Sequence, residues 1–172
     1  AGNNTAVGFC SLFANTTGVN NTSLGKDSLR SNTTSTNNTA VGSESLEDNT
    51  TGGSNTAHGF SALFNNTTGS CNVALGRSAL QSNTTASNNT AVGLCSLYTN
   101  TADNNTAVGY FSLCANTTGN SNTATGRNAL FSNTNASQNS AFGYFALPSN
   151  STGQYNTALG ALSLCSNTTG EA

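Results

Sequence analysis

One histidine, five cysteines and six carboxylates are the side chains here that could carry out chemistry, and no catalytic constellation forms among them. His58 stands where most repeats carry Val or Leu, so it reads as a substitution in a structural position rather than as a base or metal ligand. Glu44, Glu47 and Asp48 lie close together, but a repeat-borne Ca²⁺ site would recur and this grouping does not. Glycine is frequent, yet never as G-x-G-x-x-G ahead of a helix, so nucleotide binding is not indicated. The expectation is a chain that is not an enzyme and carries no metal or cofactor, candidate N-linked glycans apart.

Asn-x-Ser/Thr is the strongest chemical signal. Asn-Thr-Thr or Asn-Ser-Thr begins at Asn15, Asn32, Asn49, Asn66, Asn83, Asn116, Asn150 and Asn167, and further sequons begin at Asn3, Asn20, Asn21, Asn37, Asn65, Asn88, Asn104 and Asn135. The eight are read in two ways, as glycosylation sites or as a ladder of Asn-Thr turns. At Asn100-Thr101-Ala102 and Asn133-Thr134-Asn135 the sequon is broken but the Asn stays, so something besides glycosylation requires it. Tolerance of left-handed backbone and an amide that bonds nearby main chain would meet that requirement. Glycans in one column would also crowd at ~4.8 Å.

These signals recur because the whole chain is one repeat. Asn-Thr-Ala or a close variant begins at Asn4, Asn21, Asn38, Asn55, Asn72, Asn89, Asn105, Asn122, Asn139 and Asn156, 17 residues apart except for 16 between Asn89 and Asn105. We number these copies one to ten and their columns one to seventeen. The array fills residues 1–172 as a single domain with no linker. Gly holds column five, Leu column nine, and Asn columns one and twelve in all ten copies; column eight is always Ser or Ala. Column six, by contrast, accepts Phe9, Lys26, Arg77 and Tyr110 alike, as a partly solvated position does. The missing residue of copy six falls at Asp103-Asn104, where a loop would absorb it.

A unit this short cannot bury its own apolar side and must stack on its neighbours. The expected fold is all-β, a parallel β-solenoid or β-roll of about ten coils, one 17-residue repeat to a coil. Strands are expected at T-A-φ-G and at x-[S/A]-L-x, bounded by Gly and Asn-Thr-Thr-Gly turns; a helical turn over columns six to ten is the alternative. The five cysteines fall in columns seven, seventeen, seven, ten and ten, which stacks no two in one column of adjacent coils. They read as small buried hydrophobes or as partners in an intermolecular bridge.

Composition narrows the partners. Asn, Thr, Ser and Gly make up 98 residues, against 29 Leu, Phe and Val. Four Lys and Arg cannot neutralise many phosphates, so nucleic acid is not expected. No run of ~18 apolar residues exists to enter a membrane as a helix. Columns six and ten turn apolar together at Phe9/Phe13, Phe60/Phe64 and Leu94/Tyr98; with Tyr110 and Tyr144 they are the candidate contacts between subunits. Ala1-Gly2-Asn3 and Gly170-Glu171-Ala172 occupy the same three columns, so both ends are expected to continue into another coil or subunit.

The boxes Asn4–Gly8, Asn38–Gly42, Asn89–Gly93 and Asn105–Gly109 resemble the N-S-V-A-I-G-type box of YadA-like heads in trimeric autotransporter adhesins, and the arrays of phage and large-virus fibre proteins. That resemblance implies a trimerised β-roll serving as an adhesive or structural shaft on a cell or virion surface. The functional expectation is therefore a segment of an extracellular fibre or adhesin that associates with itself. A surface-glycan-binding module is the alternative, with Phe9, Phe60, Tyr110 and Tyr144 stacking on sugar rings. An ice-binding solenoid is a third reading, prompted by the recurring Thr-Thr pairs, although a flat ice face calls for Thr two apart on a strand.

Overall fold

A computed structural model describes residues 2–171; Ala1 and Ala172, part of the expected end registers, lie outside them. Ten three-residue strands, from β1 (Thr5–Val7) to β10 (Thr157–Leu159), form one parallel sheet in sequential order. Each strand is columns two to four of its coil, and pairing is column on column: Thr39 with Thr56, Ala40 with Ala57, Val41 with His58. The fold is the β-solenoid expected from the repeat. No helix occurs among the described residues.

Period-two alternation sets the strand faces. Column three points inward, and its Ala is fully buried from Ala40 to Ala141. Columns two and four point outward, leaving Leu24, Leu75, Val108 and Phe142 exposed. Behind the sheet stands column nine, with Leu29, Leu46, Leu63, Leu80, Leu97, Leu113, Leu130 and Leu147 all at 0% exposure. The core is a stack of one Leu and two small residues per coil.

The second expected strand, x-[S/A]-L-x, is a turn. Columns seven and nine both adopt left-handed backbone in every coil; the ten Leu residues have φ of 48–54°. Left-handed φ costs a non-glycine residue ~1–2 kcal/mol, whereas full burial of Leu gains ~1.5–3. In column nine burial offsets the strain because the conformation aims Leu at the axis, while column seven is held by its hydrogen bond to the preceding coil. Alternate peptide groups here reach opposite neighbours, with Asp27 N donating back to Phe9 O at 2.8 Å and Leu29 N donating forward to Ser45 O at 3.0 Å. Every interior coil is thus hydrogen-bonded on both sides without a second sheet.

Glycine in column five is the hinge between strand and turn. Its φ lies between 111° and 143° in all ten coils, a region open to glycine. A Cβ on Gly76 would also stand 2.6 Å from Gly93 O. Coil-to-coil spacing therefore depends on the missing side chain.

Candidate interaction face

Two Asn columns close each coil from inside. In coil four, Asn55 Nδ2 donates to Gly69 O at 2.8 Å and Asn66 Nδ2 donates to the same oxygen at 3.0 Å. The oxygens tie coil to coil: Asn55 Oδ1 accepts from Asn72 N at 2.9 Å and Asn66 Oδ1 from Asn83 Nδ2 at 2.8 Å. Column thirteen adds a third row, as in Thr50 Oγ1 donating to Thr67 O at 3.0 Å.

The eight sequon asparagines stand in this ladder. Asn32, Asn49, Asn66, Asn83, Asn116 and Asn150 are fully buried, and Asn15 and Asn167 half-buried in the outermost coils. Each of the six buried amide nitrogens donates twice, to the preceding Asn and to the column-fifteen carbonyl, as Asn49 does to Asn32 Oδ1 at 3.1 Å and Gly52 O at 3.0 Å. A glycan on such a nitrogen would break one of those bonds and has no room in the stack. Sequons at Asn20, Asn37, Asn88 and Asn104, in column seventeen, are exposed instead.

The short repeat of coil six interrupts the ladder. With one residue absent after Ala102, no column-fifteen carbonyl lies in reach of Asn89, and Asn100 does not donate to Asn83. Asn83 Oδ1 and Asn89 Nδ2 are the buried side-chain polar atoms without a partner among the described residues. The loop does not absorb the deletion silently.

Opposite in character is the face made by columns six, seven and ten, where side-chain type varies from coil to coil. The strand ends at column four and column five releases column six outward; columns seven to ten then point out, in, in and out. Phe9 and Phe13 are 72% and 74% exposed. Phe60, Tyr110 and Tyr144 are exposed too, while Phe64, Leu94 and Tyr98 are half-buried.

The charges gather on this face. In coils two and three, Lys26 Nζ lies 3.0 Å from Asp27 and Arg30 Nη1 lies 3.5 Å from Glu47. Ser61 Oγ donates to Glu44 Oε2 at 3.0 Å. Burial pushes the Glu47 carboxyl above its ordinary range, with Asp27, Asp48 and Glu44 adding to the rise and Arg30 opposing it. Hydrogen bonding to Asp27, and its charge, raise Lys26.

Farther along, arginines lie on rings, a contact favoured by the ring quadrupole. Arg77 is 5.7 Å from the centre of Phe60, and Arg127 sits 5.6 Å from Tyr110 and 5.8 Å from Tyr144. Arg77, Arg127 and Phe111 were not among the residues singled out by type, although the free variation of column seven marks Phe111's position. A concavity of about 480 Å³ crosses coils four to seven, lined by Phe60, Arg77, Gln81, Tyr98 and Phe111 among others.

His58 is exposed at the end of its strand, Thr56–His58, and among the described residues no group of three His, Cys, Asp or Glu is placed to hold a metal. All five cysteines are free. None is fully buried, which corrects their reading as core hydrophobes: Cys71 and Cys165 are exposed, and Cys10, Cys95 and Cys114 half-buried. The reason is the backbone, which turns columns seven and ten outward and leaves Cys71 on the left-handed column-seventeen bend. Burial, with a smaller push from Cys95, raises the Cys114 thiol to about 11. The Thr of column two faces solvent beside column four, which carries Thr only at Thr125, so paired Thr ranks do not form on the sheet. No protein-family model, curated protein or solved structure matches the chain.

Proposed function

We propose that the chain is a structural repeat segment of an extracellular fibre or adhesin shaft that assembles with itself, side by side, end to end or both. One observation supports this reading above others. The invariant columns are spent on the stack, in Leu burial, Gly approach and Asn ladders, while variation in large and charged side chains concentrates on one long face. A rod with a patterned side is suited to lining up with other rods. Glycans, where carried, sit on the exposed Asn20, Asn37, Asn88 and Asn104 rather than on the ladder. Electron microscopy of the purified protein is expected to show laterally or axially joined rods; dispersed 17.3 kDa monomers at every concentration would overturn the reading.

The concavity supports a second reading, a surface-glycan site. Aromatic rings at Phe60, Tyr98 and Phe111 offer stacking planes, and Arg77 and Gln81 offer hydrogen-bond donors. A glycan array would then show binding that Tyr98→Ala abolishes. Binding unchanged in that variant, or none at all, would remove this reading.

A further inference from the structure

The charges on the variable face are distributed along the rod in a pattern that fixes a direction. Coils two and three hold Lys26, Arg30, Asp27, Glu44, Glu47 and Asp48, a local net charge of −2 (two bases less four acids). The remaining bases, Arg77 in coil five and Arg127 in coil eight, have no acid within ion-pair distance among the described residues. Charge complementarity between two such faces therefore depends on which coil meets which.

Parallel, in-register pairing sets every coil against its own copy. Coil three, with Glu44, Glu47 and Asp48, then meets the same acidic coil, and the Arg127 coil meets its own copy. Like charges across an interface oppose that pairing, and a ring of rods in register with this face toward the common axis suffers the same conflict. Reversing one rod removes it. A two-fold axis between coils five and six exchanges coil one with ten, two with nine, three with eight, and four with seven. Column six then faces column six and column seven faces column seven, because this operation preserves lateral position.

We propose that this face joins two copies of the chain antiparallel about that axis, with the acidic coil three of each against the Arg127 coil of the other. The proposal rests on the self-assembly reading and assigns it a register. Other rungs agree with it. Coil two brings Lys26 over the second copy's Tyr144, a cation on a ring. Coil four brings Phe60 against Tyr110 and the small Ser61 against the bulky Phe111. The concavity spans coils four to seven and so straddles the axis. Two open depressions become one chamber between the copies, whose Arg77 and Gln81 lining suits bridging water.

Size sets the strength. Ten coils at ~4.8 Å make a face about 45 Å long, and a strip on the order of 12 Å wide covers roughly 500 Å² per copy, at the weak end of specific interfaces. Charge register therefore decides the geometry, and association at micromolar concentrations is expected.

Sedimentation equilibrium at low salt tests it. Wild type is expected to dimerise; Glu44→Lys and Arg127→Glu are each expected to weaken the dimer at least ~10-fold, and the double variant to restore it. A dimer strengthened by Glu44→Lys would indicate parallel pairing, and one unmoved by either swap would place the contact elsewhere. Both results overturn the proposal and leave self-assembly standing. A wild-type monomer at all concentrations overturns both. Spin labels give an independent measure should a charge variant misfold. With the five cysteines replaced by Ser and a label on Thr17→Cys, exposed and off this face, the antiparallel dimer gives a separation of ~40 Å or more. A separation under ~30 Å would refute it.

Discussion

The side-chain amides of Asn38 and Asn49 donate to a single oxygen, the carbonyl of Gly52, at 3.0 Å each. Asn38 precedes the strand of coil three and Asn49 follows its turn region, so the shared carbonyl draws the two ends of the coil together from within. Their oxygens serve the next coil: Asn38 Oδ1 accepts from Asn55 N at 2.9 Å and Asn49 Oδ1 from Asn66 Nδ2 at 2.8 Å. Only a short side chain with both donor and acceptor can tie a coil to itself and to its neighbour. Asp lacks the donor, Ser and Thr have one hydrogen to give, and Gln is a methylene too long.

Removing one rung should expose that double duty. Asn66 makes both donations and accepts from Asn83 at 2.8 Å, all at 0% exposure. Asn66→Ala is expected to lower stability by about 1–3 kcal/mol, the cost of leaving buried partners unsatisfied. Asn83→Ala should cost less, because Asn83 Oδ1 has no partner to lose. Urea titrations of both variants measure the difference, and equal midpoints would contradict it.

Gly76 tests the other fixed column. Its φ is 137°, and an added Cβ would stand 2.6 Å from Gly93 O and 2.7 Å from Gly93 C, both backbone. Neither can move without parting two coils. Gly76→Ala is expected to cost on the order of 3 kcal/mol or more. Gly53→Ala, without left-handed backbone and with its nearest atom at 3.2 Å, is expected to cost much less. Thermal melts compare the two.

These two columns were legible in the sequence because a side chain required in every coil leaves an invariant column. Leu29 and its equivalents declared the core in the same way. What Asn66 bonds to was not legible, since the shared acceptor is the main-chain carbonyl of column fifteen, whose residue is Gly69, Ser35 or Ala86 in different coils. The region around Leu63 read as a strand because its short run x-[S/A]-L-x lies between Gly and Asn-Thr-Thr-Gly turn signals, which bound a stretch of any extended backbone alike. Its left-handed φ values carry no residue signature: Leu, Cys, Phe and Asp all adopt them. Arg127 between Tyr110 and Tyr144 was hidden for another reason, being a contact along column six of three successive coils, a column whose residue type changes from coil to coil.

Glu47 predicts a pH response. Burial first, then the charges of Asp27, Asp48 and Glu44, hold its folded pKa above the ordinary value, while Arg30 opposes. A carboxyl raised on folding contributes stability below its unfolded pKa and loses it as pH rises through the folded one. The ionised form at pH 7 is thus the destabilising one. Glu47→Gln is expected to be more stable than wild type at pH 7, by about 1 kcal/mol or less for a partly exposed group. The gain should disappear near pH 4. A variant less stable than wild type at pH 7 would mean that the 3.5 Å contact with Arg30 outweighs the crowding.

The defect in coil six predicts a gain from insertion. Coil six is one residue short between Asn100 and Asn105, and the column-fifteen carbonyl that should receive Asn89 Nδ2 is displaced. Ala102 O instead takes Asn100 Nδ2 at 2.7 Å and, weakly, Asn105 Nδ2 at 3.4 Å from the following coil. Asn100 Oδ1 is shared between Asn105 and Asn116, at 3.2 and 2.6 Å, and Asn83 Oδ1 is left with nothing. A Gly inserted after Ala102 restores the 17-residue spacing, supplies a carbonyl at column fifteen and lets Asn100 settle over Asn83. Two buried unsatisfied groups cost about 1–3 kcal/mol each, whereas one added loop residue costs a few tenths at most. The insertion is therefore expected to raise the unfolding midpoint. A Gly inserted at the equivalent point of coil four, after Thr68, serves as the control and should lower it, since the ladder there is already complete. An insertion in coil six that destabilises as much as its control would show that the short repeat is an adapted seam of the stack and not a break in it.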